Sequence, residues 1–149
     1  MKATKYISEV IYPKRYAPDK RINGDDWFIP PCDYDPLLNH LGEILLKEDE
    51  KDYSGDSYVL YRDNPRYGYL CFGWGSCSGC DALQACESYE DIDQLIESLR
   101  MQIKWFDSPS ELLAFFDTHD WRGDFISSEE TRDKFLLGAR KILQSEQGK

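Results

Sequence analysis

Two cysteines in a glycine-rich segment are the residues of this chain best suited to chemistry. Cys77 and Cys80 lie in the sequence Gly73-Trp-Gly-Ser-Cys-Ser-Gly-Cys-Asp81. Two thiolates two residues apart supply half of a tetrahedral zinc site, and Cys32 is the best further ligand because thiolates suit zinc. The same spacing, after a strand and before a helix, is typical of thiol redox proteins. A third interpretation is structural, because glycines and small side chains allow a tight, well-packed turn.

We expect the loop to be structural and the protein to hold no cofactor. The sequence has no second Cys-x-x-Cys pair to complete a zinc site. After residue 81 the pattern is helical and lacks the further strands of thioredoxin-like proteins. The odd total of five cysteines also fits a disulfide framework poorly. Zinc binding or thiol redox chemistry at Cys77, Cys80 and Cys32 is the alternative.

Two acid–base arrangements are less convincing. His119 and Asp120 have the types of a general base and its orienting acid, but adjacent side chains on a helix point in different directions. We therefore interpret His119 as a capping or surface residue. Asp49 and Lys51 have the spacing of a nuclease carboxylate–lysine motif, but they fall in a charged segment predicted to lack a strand. We assign no catalytic residue and expect a non-enzymatic protein.

The distribution of charge points to protein binding. The net charge is −10, and segments 25–56 and 107–130 together hold 17 carboxylates and three basic residues. Such segments repel phosphate backbones, which disfavours direct nucleic-acid binding. They suit a basic protein partner, or they only keep the domain soluble. Aromatic residues beside the carboxylates would supply desolvated anchors. The predicted binding residues are Asp25, Asp26, Trp27, Phe28, Asp120, Trp121, Asp124 and Phe125.

The pattern of apolar residues predicts one α+β domain spanning residues 1–149. Its 41% hydrophobic content is enough for a core. Apolar residues three or four apart predict helices that begin near residues 36, 90, 109 and 128. We expect a small antiparallel sheet of about three strands packed against four or five helices. The β-branched and aromatic runs predict strands at 6–12, 57–62 and 67–74, of which the last two form a hairpin.

The helix that begins at Pro36 is expected to carry one apolar stripe. Leu37, Leu38 and Leu41 begin that stripe, and Ile44 and Leu45 continue it at helical spacing. The charged residues that follow, 47–52, are expected to form a surface loop. Asp81 and Gln84 have the spacing to cap a short helix after the cysteine loop.

The ends and the hydropathy of the chain bear on its location. The N-terminus has no apolar run typical of a signal peptide. No stretch approaches the roughly 18 apolar residues of a membrane span. We therefore expect a cytoplasmic protein that does not engage membranes.

The cysteine loop also carries a resemblance to a group of known proteins. Gly75-Ser-Cys-Ser-Gly-Cys-Asp-Ala-Leu83 follows an aromatic strand and precedes an acidic helix with a later tryptophan. This arrangement is similar to small uncharacterised proteins encoded by bacteriophages. The resemblance is specific over residues 75–83 and loose over residues 67–106. It implies an accessory or counter-defence factor that acts in the host cytoplasm, without implying a mechanism.

Overall fold

The α+β class predicted from the sequence is confirmed. A computed structural model describes residues 6–11, 34–52, 54–75, 81–123 and 128–148. Within these residues, four strands form one antiparallel sheet in the order β1-β2-β3-β4, accompanied by five α-helices. In chain order the elements are α1 (Ile7–Ile11), α2 (Asp35–Leu41), β1 (Glu43–Asp49), β2 (Gly55–Asp63), β3 (Arg66–Trp74), α3 (Tyr89–Gln102), β4 (Lys104–Phe106), α4 (Pro109–Thr118), a 3-10 turn (Trp121–Gly123) and α5 (Glu129–Gln147).

The chain divides into two compact units. The first comprises Met1–Leu41 with Trp74–Met101, and the second comprises Gly42–Gly73 with Gln102–Lys149. The first unit therefore holds α1, α2 and nearly all of α3. The second holds α4, α5 and all of the sheet except the last residue of β3.

The second unit is built around the sheet. β1 pairs with β2 in antiparallel register from Glu43 opposite Arg62 to Asp49 opposite Ser57, with a bulge before Leu46. β2 and β3 are neighbours joined by a short turn, which confirms the predicted hairpin. β4 pairs with β3. The core lies between this sheet and helices α4 and α5, and consists of Tyr58, Leu60, Tyr67, Tyr69, Leu112, Phe116, Phe135, Leu136, Ala139 and Leu143.

Helices α4 and α5 begin where polar side chains satisfy their first amides. The Ser108 hydroxyl accepts a hydrogen bond from the Glu111 amide, while the Glu111 carboxylate accepts one from the Asp107 amide. Ser128 caps α5 by accepting a hydrogen bond from the Thr131 amide. Such caps fix the first turn of each helix, and so fix which side chains face the sheet.

The predicted strand at residues 6–12 is wrong, because Ile7–Ile11 forms helix α1. Three long-range hydrogen bonds explain the difference. The backbone amides of Ile7 and Ser8 donate to the Asp93 carboxylate at 3.2 and 2.9 Å, and the Ser8 hydroxyl donates to the Tyr89 carbonyl at 2.8 Å. A carboxylate supplied by α3 thus caps the helix and outweighs the strand propensity of its β-branched residues. Residue 12 lies outside the described residues.

The predicted continuation of α2 is also wrong, and the predicted charged loop at 47–52 is wrong over residues 47–49, whereas residues 50–52 form no helix or strand. α2 buries Leu37, Leu38 and Leu41 as expected, but it ends at Leu41, and Glu43–Asp49 forms strand β1. At Gly42 the chain passes so close to β2 that a Cβ would lie 3.1 Å from the Tyr61 ring. Pairing with β2 and packing on α5 stabilise the strand, and neither interaction is visible in local spacing.

Helix α3 buries Ile92, Ile96 and Leu99 at helical spacing. Within the described ranges, no helix is both long enough and apolar enough to cross a membrane.

Candidate functional site

Most of the residues predicted to bind a partner or a metal lie outside the described residues. Asp120 and Trp121 are the two predicted binding residues that the structure describes. The roles assigned to the others therefore stay predictions. The predicted residues outside the described ranges are Asp25, Asp26, Trp27, Phe28, Asp124, Phe125, Cys32, Cys77 and Cys80.

Gly75 and Asp81, the described residues on either side of segment 76–80, are tied together by a buried polar network. The buried Asp81 carboxylate accepts hydrogen bonds from the amides of Gly75 and Gln84, at 3.0 and 2.9 Å. The Gln84 side-chain amide donates to the Gly75 carbonyl at 2.7 Å. The predicted pairing of Asp81 with Gln84 is present, but residues 82–85 form a turn rather than a helix.

Tyr34 completes this network. Its buried hydroxyl donates to Asp81 at 3.3 Å and accepts a hydrogen bond from the Leu83 amide at 3.1 Å. Burial, followed by the nearby Asp81 charge, raises the pKa of Tyr34, so this hydroxyl stays protonated. The thiol of Cys86 is also buried and donates to the Ala82 carbonyl. These polar groups satisfy one another on either side of segment 76–80, and the structural role of Cys77 and Cys80 stays a prediction.

Parts of the two acidic segments of the sequence meet in the second unit. A cavity of about 440 Å³ lies where the end of β1 and the following turn face the first turns of α5. It contains five carboxylates and two lysines, a formal charge of −3. We call it the acidic cleft, and it is lined by Glu48, Asp49, Glu50, Lys51, Asp52, Ser54, Ser128, Glu130, Thr131 and Lys134.

Some carboxylates of the acidic cleft shape the cleft itself. Asp49 accepts a hydrogen bond from the Ser57 hydroxyl. The buried Glu50 carboxylate accepts one from the Asp56 amide at 2.6 Å. A Cβ at Gly55 would lie 2.7 Å from the Cβ of Glu50, so a larger residue here would displace the Glu50 side chain. Fixed carboxylates at the base of the cleft keep its charge in place without further ordering.

Other cleft side chains are directed toward solvent. Asp52, Glu130 and Lys51 are exposed, and Lys134 lies 3.5 Å from Glu48 in a surface ion pair. Such a pair contributes little to stability. A partner's basic group can therefore compete with Lys134 for Glu48 at small cost.

The reason for setting aside Asp49 and Lys51 as a nuclease motif was wrong. Asp49 is the last residue of β1, so a strand does hold it. Its carboxylate, however, is engaged by Ser57 and by Lys47, whose ammonium lies at 3.3 Å. Among the described residues, no group of three or more His, Cys, Asp or Glu is placed to hold a metal ion.

A second depression, the Trp121 groove, lies on the other flank of α5. It has a volume of about 490 Å³. The Trp121 indole N–H donates to the Phe116 carbonyl at 3.4 Å, which fixes the ring against α4. The groove is lined by Phe116, Asp117, His119, Trp121, Arg132, Asp133, Leu136, Leu137 and Arg140.

His119 is the C-cap of α4, which confirms its interpretation as a capping residue. Its ring stacks on Phe115 with centroids 4.8 Å apart and meets the edge of Trp121 at 4.7 Å. Asp120 instead forms hydrogen bonds with Arg122, at 3.0 and 3.3 Å. These bonds hold the pKa of Asp120 below its ordinary value. The pair predicted as a possible base and acid is thus divided between an aromatic stack and a surface ion pair.

One helix positions both depressions. At ~100° per residue, Glu130, Thr131 and Lys134 lie on one flank of α5, and the groove residues lie on the other. Phe135 and Ala139 face the core and anchor the helix to the sheet. The sequence indicated the acidic segments, including Glu130, and Trp121, but not the other α5 residues that line the two depressions. Helical spacing in the sequence identified the core face of α5. Which α5 residues line the cleft and the groove depends instead on how the helix packs against β1 and α4.

Comparison with known proteins does not assign this chain to a family. No protein-family model, curated protein or solved structure matches this chain. The similarity of the 75–83 loop to bacteriophage proteins therefore stays a prediction, and the case for a site rests on the geometry of the second unit.

Proposed function

We propose that this protein is a non-enzymatic binding protein that engages a basic surface of a host protein. The acidic cleft carries the proposal, because it brings together carboxylates from the two acidic segments, 25–56 and 107–130. A concentrated negative surface speeds encounter with a positively charged partner and disfavours acidic competitors.

The biological setting of the proposal comes from the sequence. The similarity of residues 75–83 to bacteriophage proteins supports a phage accessory or counter-defence factor acting in the host cytoplasm. A factor of this kind needs a surface that recognises a host protein, and it does not need a catalytic centre.

Charge reversal in the acidic cleft tests this function. Asp52→Lys/Glu130→Lys alters two exposed cleft carboxylates, so the fold should be kept. The matched control, Glu87→Lys/Glu97→Lys, changes net charge equally at exposed positions that do not line the cleft. Tagged proteins are used to capture partners from a bacterial host lysate, and captured proteins are quantified by mass spectrometry.

We expect the parent and the control to enrich the same basic protein, and the cleft variant to lose most of that enrichment. Equal enrichment by all three proteins, or capture of acidic proteins alone, would contradict the proposal. Circular dichroism of each variant confirms that the fold is kept.

A further inference from the structure

We infer that the Trp121 groove is an apolar anchor site, and that the partner segment is both basic and amphipathic. This inference rests on the proposed function and deepens it, because a uniformly basic segment would need the acidic cleft alone. The occupant we assign is a segment of the partner protein that carries a large apolar side chain beside its lysines or arginines.

The floor and rim of the Trp121 groove are suited to an apolar side chain. Phe116 and Leu136 are buried beneath it, and Trp121 is partly exposed at its side. Leu137 is 58% exposed at the rim. An apolar residue seated here would remove part of both Leu137 and Trp121 from water, and buried aromatic contacts of this kind dominate binding energy at interfaces.

The charges around the groove balance in number. Arg132 pairs with Asp133 at 3.1 Å, and Arg140 pairs with Asp117 at 2.8 Å. The sign of the partner segment is therefore set by the neighbouring acidic cleft, whose formal charge is −3, and this favours lysine or arginine beside the apolar residue.

Arg132 also forms part of the groove wall. Its guanidinium lies 5.7 Å from the centre of the Trp121 ring, so it is engaged with an aromatic face. This contact and the hydrogen bond from the indole to Phe116 hold the Trp121 ring in place, so the apolar wall of the groove is already formed.

The acidic cleft and the Trp121 groove can serve a single segment because they flank the same exposed ridge of α5. Lys134 and Leu137 lie on the two sides of that ridge, less than one helical turn apart. A chain crossing the ridge would place basic side chains in the cleft and its apolar side chain in the groove. Basic amphipathic character is the chemistry that fits both sites together.

Two synthetic peptides test the inference on the full chain. One is an amphipathic leucine–lysine peptide, and the other is an oligolysine peptide with the same number of lysines. We expect the parent to bind the leucine–lysine peptide about tenfold or more tightly, because a seated leucine buries apolar surface. Leu137→Gln should bring its affinity close to that of oligolysine. Met101→Gln, at a position 84% exposed and absent from the groove, is the matched control and should retain the preference.

The outcomes separate the inference from the proposed function. Suppose that Leu137→Gln keeps the full preference for the leucine–lysine peptide, while Asp52→Lys/Glu130→Lys weakens binding of both peptides. The inference about the groove is then wrong, and the proposed function of the acidic cleft is supported. If the cleft variant binds both peptides as the parent does, the proposed function fails. Tighter binding of a leucine–glutamate peptide would overturn the assigned charge of the occupant. The parent protein could also sediment as a dimer that Leu137→Gln dissociates. That result would assign the groove to a second copy of this chain and would overturn the inference.

Discussion

Tyr58 places a polar group in the core of the second unit. Its ring stacks on Phe135 with centroids 5.5 Å apart and is fully buried. Among the described residues its hydroxyl has no hydrogen-bond partner. Burial raises the pKa of Tyr58, with smaller contributions from neighbouring charged groups. The sequence could mark this residue as core, but not the environment of its hydroxyl, since that depends on how α5 covers β2.

The raised pKa of Tyr58 predicts a loss of stability at alkaline pH. An unfolded tyrosine ionises near pH ~10, whereas the folded one stays protonated, so rising pH favours the unfolded state. A tyrosine that is ionised only in the unfolded state lowers the free energy of unfolding by about 1.4 kcal/mol for each pH unit above ~10. Tyr58→Phe should reduce this slope while leaving stability at pH 7 unchanged or about 1 kcal/mol higher. Urea titrations across alkaline pH measure both, and identical slopes for the two proteins would refute the prediction.

At the scale of elements, helix α5 is joined to the sheet by a network near its C-terminal end. The Glu146 carboxylate accepts hydrogen bonds from Arg62 of β2, at 3.1 Å, and from the Tyr67 hydroxyl of β3, at 2.6 Å. Arg62 also pairs with Glu43 of β1. Only 8% of the Glu146 side chain is exposed, compared with 54% for Glu43.

The difference in exposure predicts unequal effects of removing the two carboxylate charges. Glu146→Gln should lower the free energy of unfolding by about 1–3 kcal/mol, because buried hydrogen bonds to a charged group are replaced by weaker ones. The matched control Glu43→Gln should have a smaller effect, since water screens its pair. Urea unfolding at neutral pH measures both, and an equal or larger loss for Glu43→Gln would show that this network does not secure α5.

The sequence predicted elements well where local patterning and tertiary contacts agree. The β2–β3 hairpin, the capped start of α4 and the apolar faces of α3 and α5 were all visible as spacing. α1 and β1 were mispredicted because distant residues decide them. Asp93 caps α1 from another helix, and β1 needs its partner strand, although its apolar residues continue the helical spacing of α2.

At the scale of the whole molecule, charge was predictable but its arrangement was not. The sequence indicated two acidic segments, and the acidic cleft is where parts of both face each other. Counting charges could not reveal that Asp120 pairs with Arg122, or that Asp49 and Glu50 shape a turn. Nor could it identify which α5 residues line the cleft and which line the groove. The ion pairs, the turn and the lining of the two depressions all depend on strand register and helix packing.

The central claim is that the acidic cleft steers association with a basic partner. The direct measurement is the association rate constant for the captured partner, in stopped flow, at low and at high ionic strength. For the parent and for Glu87→Lys/Glu97→Lys we expect fast association at low salt that slows several-fold as salt screens the cleft. For Asp52→Lys/Glu130→Lys we expect slower association with a weaker dependence on salt. Equal rates and equal salt dependence for all three proteins would contradict the account.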